Sequence, residues 1–479
     1  MYKNGIETFL EIEKKHHLYD KQLSGIHYWV YSRFMIWEKI QQSVYGLGDA
    51  HRKDDENLIS RFRTVTSLFY HSFLKPQILK EDVDIFFFDH PRRIYNDGYY
   101  DCCYTTALAL EYKNSITGEC PYLYGHKKPV REKDLFYLDK IIVLGNLYYY
   151  FYKLFRKKKY KAIRQKIGKE LEEALQQIDN KWQAGINKDW IIDLIVKRYF
   201  ICLKKKRQYE RLLKKLRPKV IIEVVSYSMD CMLLNELGKK YGIPTIELQH
   251  GTMGTDHIAY NYSTSNCIQQ FPDYVFLFSD YWKHVTNLPI KEDHIKIVGY
   301  SYFDSQVKKY AKQRHEKKSI IFISQGTIGS KLSQFAVKLA QHQALESWNI
   351  FYKLHPGEFE SWEKDYPWLK TSGITVVGKD KSNIYELFSI CDVQIGVYST
   401  ALFEGMGFGL QTFIYKIYRS KMFNELCNMG YAEFVSSIEE CVQKLMVPPK
   451  NKSKCFWKKY AFKNTNNEID KILNSTAKH

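Results

Sequence analysis

Residues 218–251 read PKVIIEVVSYSMDCMLLNELGKKYGIPTIELQHG. The β-branched run Val220 to Val225 reads as a buried strand, and Met229 to Tyr241 reads as a helix. Gly242-Ile243-Pro244 stops that helix and returns the chain to a second strand, Thr245 to Leu248. A strand, a crossover helix and a strand make a βαβ unit, which places the two strands in parallel. The same texture continues with strands at Tyr274 to Phe278 and Ile295 to Val298. A polar, basic stretch, Lys308 to Lys318, then leads into a second alternating series. Its strands are expected at Ile320–Ile323, Ile350–Leu354, Ile374–Val377, Val393–Ile395 and Thr412–Tyr415.

Two such series predict an α/β protein of two Rossmann-like, doubly wound domains facing a cleft. The expected division is 1–307 for the N-terminal domain and 308–450 for the C-terminal one. Residues 451–479 then form a helix packing back on the N-terminal domain. Upstream the pattern is mixed. Asp84 to Phe88 reads as a short buried strand, Pro121 to Tyr124 as another, and Ile26 to Phe34 runs into a helix. Residues 150–217 read as a basic helical insertion.

The chain has 479 residues, long enough for more than one core. Its 16% aromatic content excludes disorder. The ten cysteines include no CxxC pair, so free thiols in a reducing cytosol are expected rather than a disulfide or zinc framework. The segment MYKNGIETFLEIEKKHH has no apolar core of a secretory signal. The most apolar uncharged run, Ile141 to Tyr152, is shorter than the ~20 residues a spanning helix needs. The net charge of +19 points to an anionic partner. Residues 151–170 hold nine Lys/Arg against Glu170 alone, and residues 204–219 hold nine more against Glu210. A solvated helical face is the plain reading of that charge. Recruitment to an anionic inner membrane leaflet comes next, and nucleic acid last, since no recognised module accompanies the charge.

In doubly wound sheets ligands bind beyond the carboxyl ends of the strands, so residues there matter most. Gln249-His250-Gly251 comes directly after the strand Thr245–Leu248. His250 either transfers a proton or donates to an anion, unless it is only a satisfied turn residue. His355 and Pro356 end the strand containing Lys353, and the proline holds His355 extended. Ser399 and Thr400 precede a helix beginning near Ala401, where hydroxyls and free N–H groups can cradle a phosphate. Glu404 lies one turn into that helix, where it suits a sugar or ribose hydroxyl, or merely the helix dipole. Ser324, Gln325, Gly326 and Thr327 form a polar, Gly-containing loop suited to a nucleotide.

The strings Gln249-His250-Gly251, Lys353-Leu354-His355-Pro356 and Tyr398-Ser399-Thr400-Ala401-Leu402-Phe403-Glu404-Gly405 resemble those of the HP-motif glycosyltransferases of GT-B architecture. That group takes in bacterial sialyltransferases and polysialyltransferases, capsule Kdo transferases and the polyol-phosphate polymerases of teichoic acid synthesis. The likeness covers roughly residues 218–415. It implies that His355, Ser399 and Thr400 contact the phosphate of a nucleotide sugar, with Glu404 near the donor's ribose or sugar. The sialyltransferases also carry an acidic-acidic-Gly motif whose second acid is the base. Asn96-Asp97-Gly98 matches it in part, and makes Asp97 a candidate base, unless the string is a simple turn. Asp101, Asp230 and His250 are its rivals.

The implied reaction transfers a sugar, with a CMP-linked donor favoured, to a lipid-linked or oligosaccharide acceptor of a bacterial capsule, lipopolysaccharide or other surface glycan. No cofactor or metal is expected, because imidazole, hydroxyls and a helix N-terminus can stabilise the leaving phosphate. The alternatives are a CDP-polyol phosphotransferase of teichoic-acid type and a non-catalytic basic adaptor for membrane or nucleic acid. The expected location is cytoplasmic, peripheral to the inner face of the cytoplasmic membrane.

Overall fold

The computed structural model describes residues 2–45, 58–74, 79–182, 187–255, 257–264, 268–311, 317–379, 383–417, 420–448 and 456–476. Part of the expected Lys308–Lys318 connection, together with Cys267 and Cys455, lies outside them.

Among the described residues fifteen strands run in chain order: β1 (Ile85–Phe88), β2 (Arg93–Asn96), β3 (Tyr99–Cys102), β4 (Ser115–Glu119), β5 (Leu135–Tyr137), β6 (Val220–Val224), β7 (Thr245–Leu248), β8 (Tyr274–Leu277), β9 (Ile295–Ile297), β10 (Ser319–Ile323), β11 (Asn349–Lys353), β12 (Thr375–Val377), β13 (Val393–Gly396), β14 (Gln411–Tyr415) and β15 (Glu433–Val435). The first sheet has the order β5-β4-β1-β6-β7-β8-β9 and the second β12-β11-β10-β13-β14-β15. The pairings from β5 through to β8, and every pairing of the second sheet, are parallel. Both sheets start in the middle, wind outward, return, and wind the other way. That is the doubly wound Rossmann-like order, with the switch points between β1 and β6 and between β10 and β13. Two parallel α/β sheets are what the alternating pattern predicts.

The chain forms two compact units. The first comprises Met1–Leu277, Thr286–Lys296 and Thr465–His479, and the second Phe278–Val285 and Ile297–Asn464. The second unit therefore takes in residues 278–285 and 297–307, which the sequence reading placed in the N-terminal half. The C-terminal helix Ala461–Thr476 meets the first unit through Tyr112 Oη on Asp470 at 2.9 Å and Glu468 beside Lys296 at 3.6 Å.

Why these residues take these elements is clearest at β6. Its burial is complete along the strand, as expected for a central parallel strand covered on both faces. Ser228 caps the next helix, Met229–Tyr241, by accepting the Cys231 N–H, and Gly242 ends it in the left-handed conformation. The basic insertion consists of three helices, Asp139–Phe155, Lys157–Trp182 and Lys188–Leu216, the last leading into β6. It begins earlier than the charge alone indicated, because its first helix is apolar.

One expectation fails locally. Pro121 to Tyr124 is a turn, not a strand. Asp139 Oδ1 takes the N–H groups of Leu123 and Tyr122 at 2.9 and 3.2 Å, leaving them nothing to give a ladder. Residues 28–32 form turns that run into the helix Arg33–Tyr45, so the aromatic stretch 26–34 does lead into a helix.

The first unit's interior holds an ion pair. Arg33 and Glu13 are both buried, with Nε to Oε1 and Nη2 to Oε2 each at 2.8 Å. Trp29 and Tyr19 donate to the same carboxylate, and Arg33 also reaches the carbonyls of Ile258 and Asn261. Breaking a buried pair strands a charge without water. Arg33→Met is expected to lower unfolding stability by about 3–5 kcal/mol, read by urea denaturation.

Candidate functional site

In the second sheet, β10, β11 and β13 are neighbours, and all three loops leave at the same edge because the strands are parallel. Ser324 comes after β10, His355 lies in the turn after β11, and Ser399 comes after β13. The side chains tie these loops to one another. Ser324 Oγ donates to Glu358 Oε1 at 2.9 Å, linking the β10 and β11 loops. The Thr327 and Tyr398 hydroxyls bond to each other, linking the β10 and β13 loops.

Glu358 is the fixed point. It is 3% exposed, and also accepts the His355 N–H at 2.7 Å and the Tyr366 hydroxyl at 2.8 Å. His355 N-caps the short helix Pro356–Glu358, with Nδ1 accepting the Gly357 N–H at 3.1 Å. Because Nδ1 accepts, the neutral ring carries its proton on Nε2, where the exposed imidazole can donate to a ligand. Gly329 permits the arrangement: a Cβ there would lie 2.2 Å from Glu358 Oε1 and 2.1 Å from Tyr366 Oη.

Thr400 is exposed and makes no capping bond, while Ser399 is buried, its Oγ 3.4 Å from the Ala401 N–H. Glu404 is half-buried in the first turn of that helix, Ala401–Gly407. Gln325 has a buried Oε1 without a hydrogen-bond partner. Gly326 and Pro356, in the loops after β10 and β11, are exposed. Lys353 donates to the Gly378 carbonyl at 3.0 Å, and burial lowers its pKa.

The first sheet has its own cluster where β1, β6 and β7 end. His250 Nε2 lies 3.4 Å from the Tyr227 hydroxyl, its Nδ1 is buried without a partner, and its carbonyl accepts from Tyr104 at 2.7 Å. The His90 ring is 6.1 Å from that of His250. Burial, then the neighbouring His90 and His257, pushes the His250 pKa down to about 3. Burial holds His90, His126 and His257 at about 4. All four are neutral at pH 7. Val225, directly after β6, has φ 65°, a strained conformation for a β-branched residue. Glu247 holds the strained turn by accepting the Ser226 N–H at 3.0 Å.

The other candidate bases are placed elsewhere. Asp97 and Gly98 both have positive φ, at the tip of the β2–β3 hairpin, where Asp97 is exposed and faces Arg131 at 3.7 Å. This is the two-residue turn that Asp-Gly favours. Asp101 accepts from Arg131 at 2.9 Å. Asp230 is buried and taken up by Lys205 at 2.8 Å, Tyr209 at 2.7 Å and Tyr124 at 3.1 Å, which corrects its candidacy as a base.

Among the described residues one cluster has metal-ligand chemistry: buried Asp89, Glu119 and His126, with ligand atoms within 4.8 Å of one another. Arg93 already bridges both carboxylates, and Lys128 lies 3.1 Å from Glu119, so an added cation would meet two resident ones. The chain also holds an Asp-x-Asp string, Asp82-Val83-Asp84, but it precedes β1 and is engaged by Arg217 at 2.6 Å and Lys219 at 2.7 Å. Sequence reasoning passed over Glu358, His90, Tyr104 and Tyr227. Glu358 carried a signal, three residues after His355 in a capping-box spacing. The others carried none.

No protein-family model matches the chain, and no curated protein matches it. Solved structures do. The Neisseria meningitidis UDP-GlcNAc 2-epimerase bound to UDP-GlcNAc is 9% identical, over 81% of this chain and 99% of that one, with a TM-score of 0.43. The wall teichoic acid polymerase TagF is 11% identical over 88% and 100%, with a TM-score of 0.41. The spinosyn rhamnosyltransferase SpnG is 12% identical over 82% and 96%, with a TM-score of 0.38.

Histidines held neutral in the fold take up protons when it unfolds. Their folded pKa values lie below the unfolded ~6.5, so stability is full above about pH 6.5 and is lost as pH falls towards 4. Thermal unfolding of the whole chain is expected to weaken between about pH 7 and about pH 5, and His257→Gln to flatten that slope.

Proposed function

We propose that the chain is a transferase using a nucleotide-linked sugar, with the donor's phosphate held by the second unit. One observation carries this: the loops after β10, β11 and β13, at the switch point of a parallel sheet, are bonded to each other through Ser324–Glu358 and Thr327–Tyr398. A site that must hold one ligand in one place needs its loops fixed mutually in this way.

When the bond between the sugar and the phosphate oxygen breaks, negative charge grows on the departing phosphate. The Nε2–H of His355 and the hydroxyls of Ser399 and Thr400 are the groups to meet it. Glu404 accepts from donor hydroxyls, and Ser324, Gln325, Gly326 and Thr327 line the nucleotide side. No metal is needed for this charge stabilisation. The new glycosidic bond forms to an acceptor hydroxyl, whose proton passes to water or to the departing phosphate. His250, in the first unit, is too weakly basic to take a proton fully, but its neutral ring can accept a hydrogen bond from a sugar hydroxyl. The sugar is of the sialyl or Kdo type, carried on CMP, and the acceptor is a bacterial surface glycan.

The test is thermal shift with CMP-, CDP-, UDP- and GDP-linked donors, CDP-glycerol included. Ligand at 100 times its dissociation constant should stabilise by about 2.7 kcal/mol. His355→Ala and the Ser399→Ala/Thr400→Ala pair are expected to remove the shift and reduce turnover by about 100-fold or more. Asp97→Asn should leave turnover within about twofold, and His250→Gln should lower kcat about tenfold with the donor shift unchanged. Absence of a shift with every donor overturns the reading.

A further inference from the structure

The first unit carries an apolar face that its own core does not cover. On the helix Asp139–Phe155, Leu147, Tyr150, Phe151, Leu154 and Phe155 are exposed, Phe155 by 75%. Their spacing of three and four residues sets them in one stripe along the helix. The opposite face, with Ile141, Ile142, Gly145 and Tyr149, is buried. A second stripe, Val65, Phe69, Tyr70, Phe73 and Leu74, is exposed on the segment 65–74. The segment 65–74 meets the start of that helix, where Lys140 Nζ sits 5.5 Å over the Phe73 ring, two turns before the first stripe begins. A soluble surface seldom leaves so many large apolar side chains side by side without a partner.

Charge decides the nature of that partner. Lys153, Arg156, Lys157, Lys158, Lys159 and Lys161 are exposed around the end of the stripe. Among the described residues no carboxylate pairs with any of the six. The equally basic segment 204–219 behaves differently. There Lys205 is paired with Asp230, Lys206 with Glu236, Arg217 with Glu81 and Asp82, and Lys219 with Asp84. Ion pairs thus take up part of each basic segment, Arg164 and Lys166 in the first and these four in the second, whereas the run 153–161 stands without carboxylate partners beside an aromatic, apolar face. Rings and aliphatic groups bordered by unpaired Lys and Arg fit a layer that is apolar within and anionic at its surface. No described helix is long and apolar enough to cross a membrane.

We propose that the stripe on Asp139–Phe155, with its neighbour on 65–74 and the bases 153–161, is a monotopic docking face for an anionic phospholipid surface. The rings enter the headgroup boundary and the lysines meet lipid phosphates. The proposal locates the membrane contact, and it stands or falls without any donor assignment, since binding is read without turnover.

Full-length protein is sedimented with vesicles of phosphatidylcholine alone and with roughly 30 mol% phosphatidylglycerol, at low and high salt. Binding is expected to the anionic vesicles only, weakening with salt. The triple variant Phe151→Ser/Leu154→Ser/Phe155→Ser should lose about tenfold or more in partitioning. Lys157→Glu/Lys158→Glu/Lys159→Glu should lose as much and remove the salt dependence. Lys214→Glu/Lys215→Glu, exposed on the other basic helix, should bind as the parent does. Circular dichroism confirms folding of each variant. Three results overturn the proposal. One is absence of vesicle binding by the parent. Another is full binding by the serine variant. The third is a parent dimer that the serine variant dissolves, with no lipid binding, which would assign the face to a second copy of the chain.

Discussion

A carboxylate buried to 3% exposure has to be satisfied by donors, and Glu358 is satisfied by three: a backbone N–H and two hydroxyls from three different segments. That requirement is the constraint on which the loop edge of the second unit's sheet depends. Glu358 cannot relax towards water, so the turn after β11 and the loop after β10 are held where they are. His355, whose backbone it grips, presents its ring from a fixed base. The rigidity of the candidate site thus comes from a residue that has no need to touch a ligand.

The two sheets solve the same problem alike. In each, the fourth and fifth strands in sheet order carry a polar pair in register: Glu223 opposite Glu247 on β6 and β7, and Gln394 opposite Thr412 on β13 and β14. Each pair is buried, and its bonds reach the chain beyond the strand end. Asn235 donates to Glu223 and the Ser226 N–H to Glu247, while Gln394 donates to the Leu402 carbonyl and to Thr412. Burial, and Glu247 beside it, holds the Glu223 carboxyl well above the usual carboxylate range. Such pairs fasten the crossover helix that follows β6 or β13, the strand on one side of each switch point.

The parallel sheets were legible because their signal is local and repeated: β-branched runs, a capped helix, a Gly-Pro stop. The hairpin β2–β3 was legible only as a turn, since Tyr99-Tyr100 does not alternate. Pro121 to Tyr124 reads as strand by composition, and becomes a turn because Asp139, distant in sequence, takes its N–H groups. The candidate residues of the second sheet could be found from the strand ends, because a parallel sheet delivers them to one edge. The partners of His250 could not, since Tyr104 and Tyr227 acquire meaning only when β1 and β6 become neighbours. Charge was the least legible property. Its total is read from sequence, but Lys205 beside Asp230 shows that only packing distinguishes a base kept inside from one offered outside.

The first compact unit is discontinuous in the chain: residues 286–296 and 465–479 belong to it although stretches of the second unit precede each of them. During synthesis the second unit has all its strands before the last helix of the first emerges. The order of maturation is then inverted relative to the order of translation. The earlier-made unit waits, incomplete, with a helix-binding surface uncovered, until the later-made one has left the ribosome. Of the two, the amino-terminal unit is the one whose closure waits on residues translated after the other's strands.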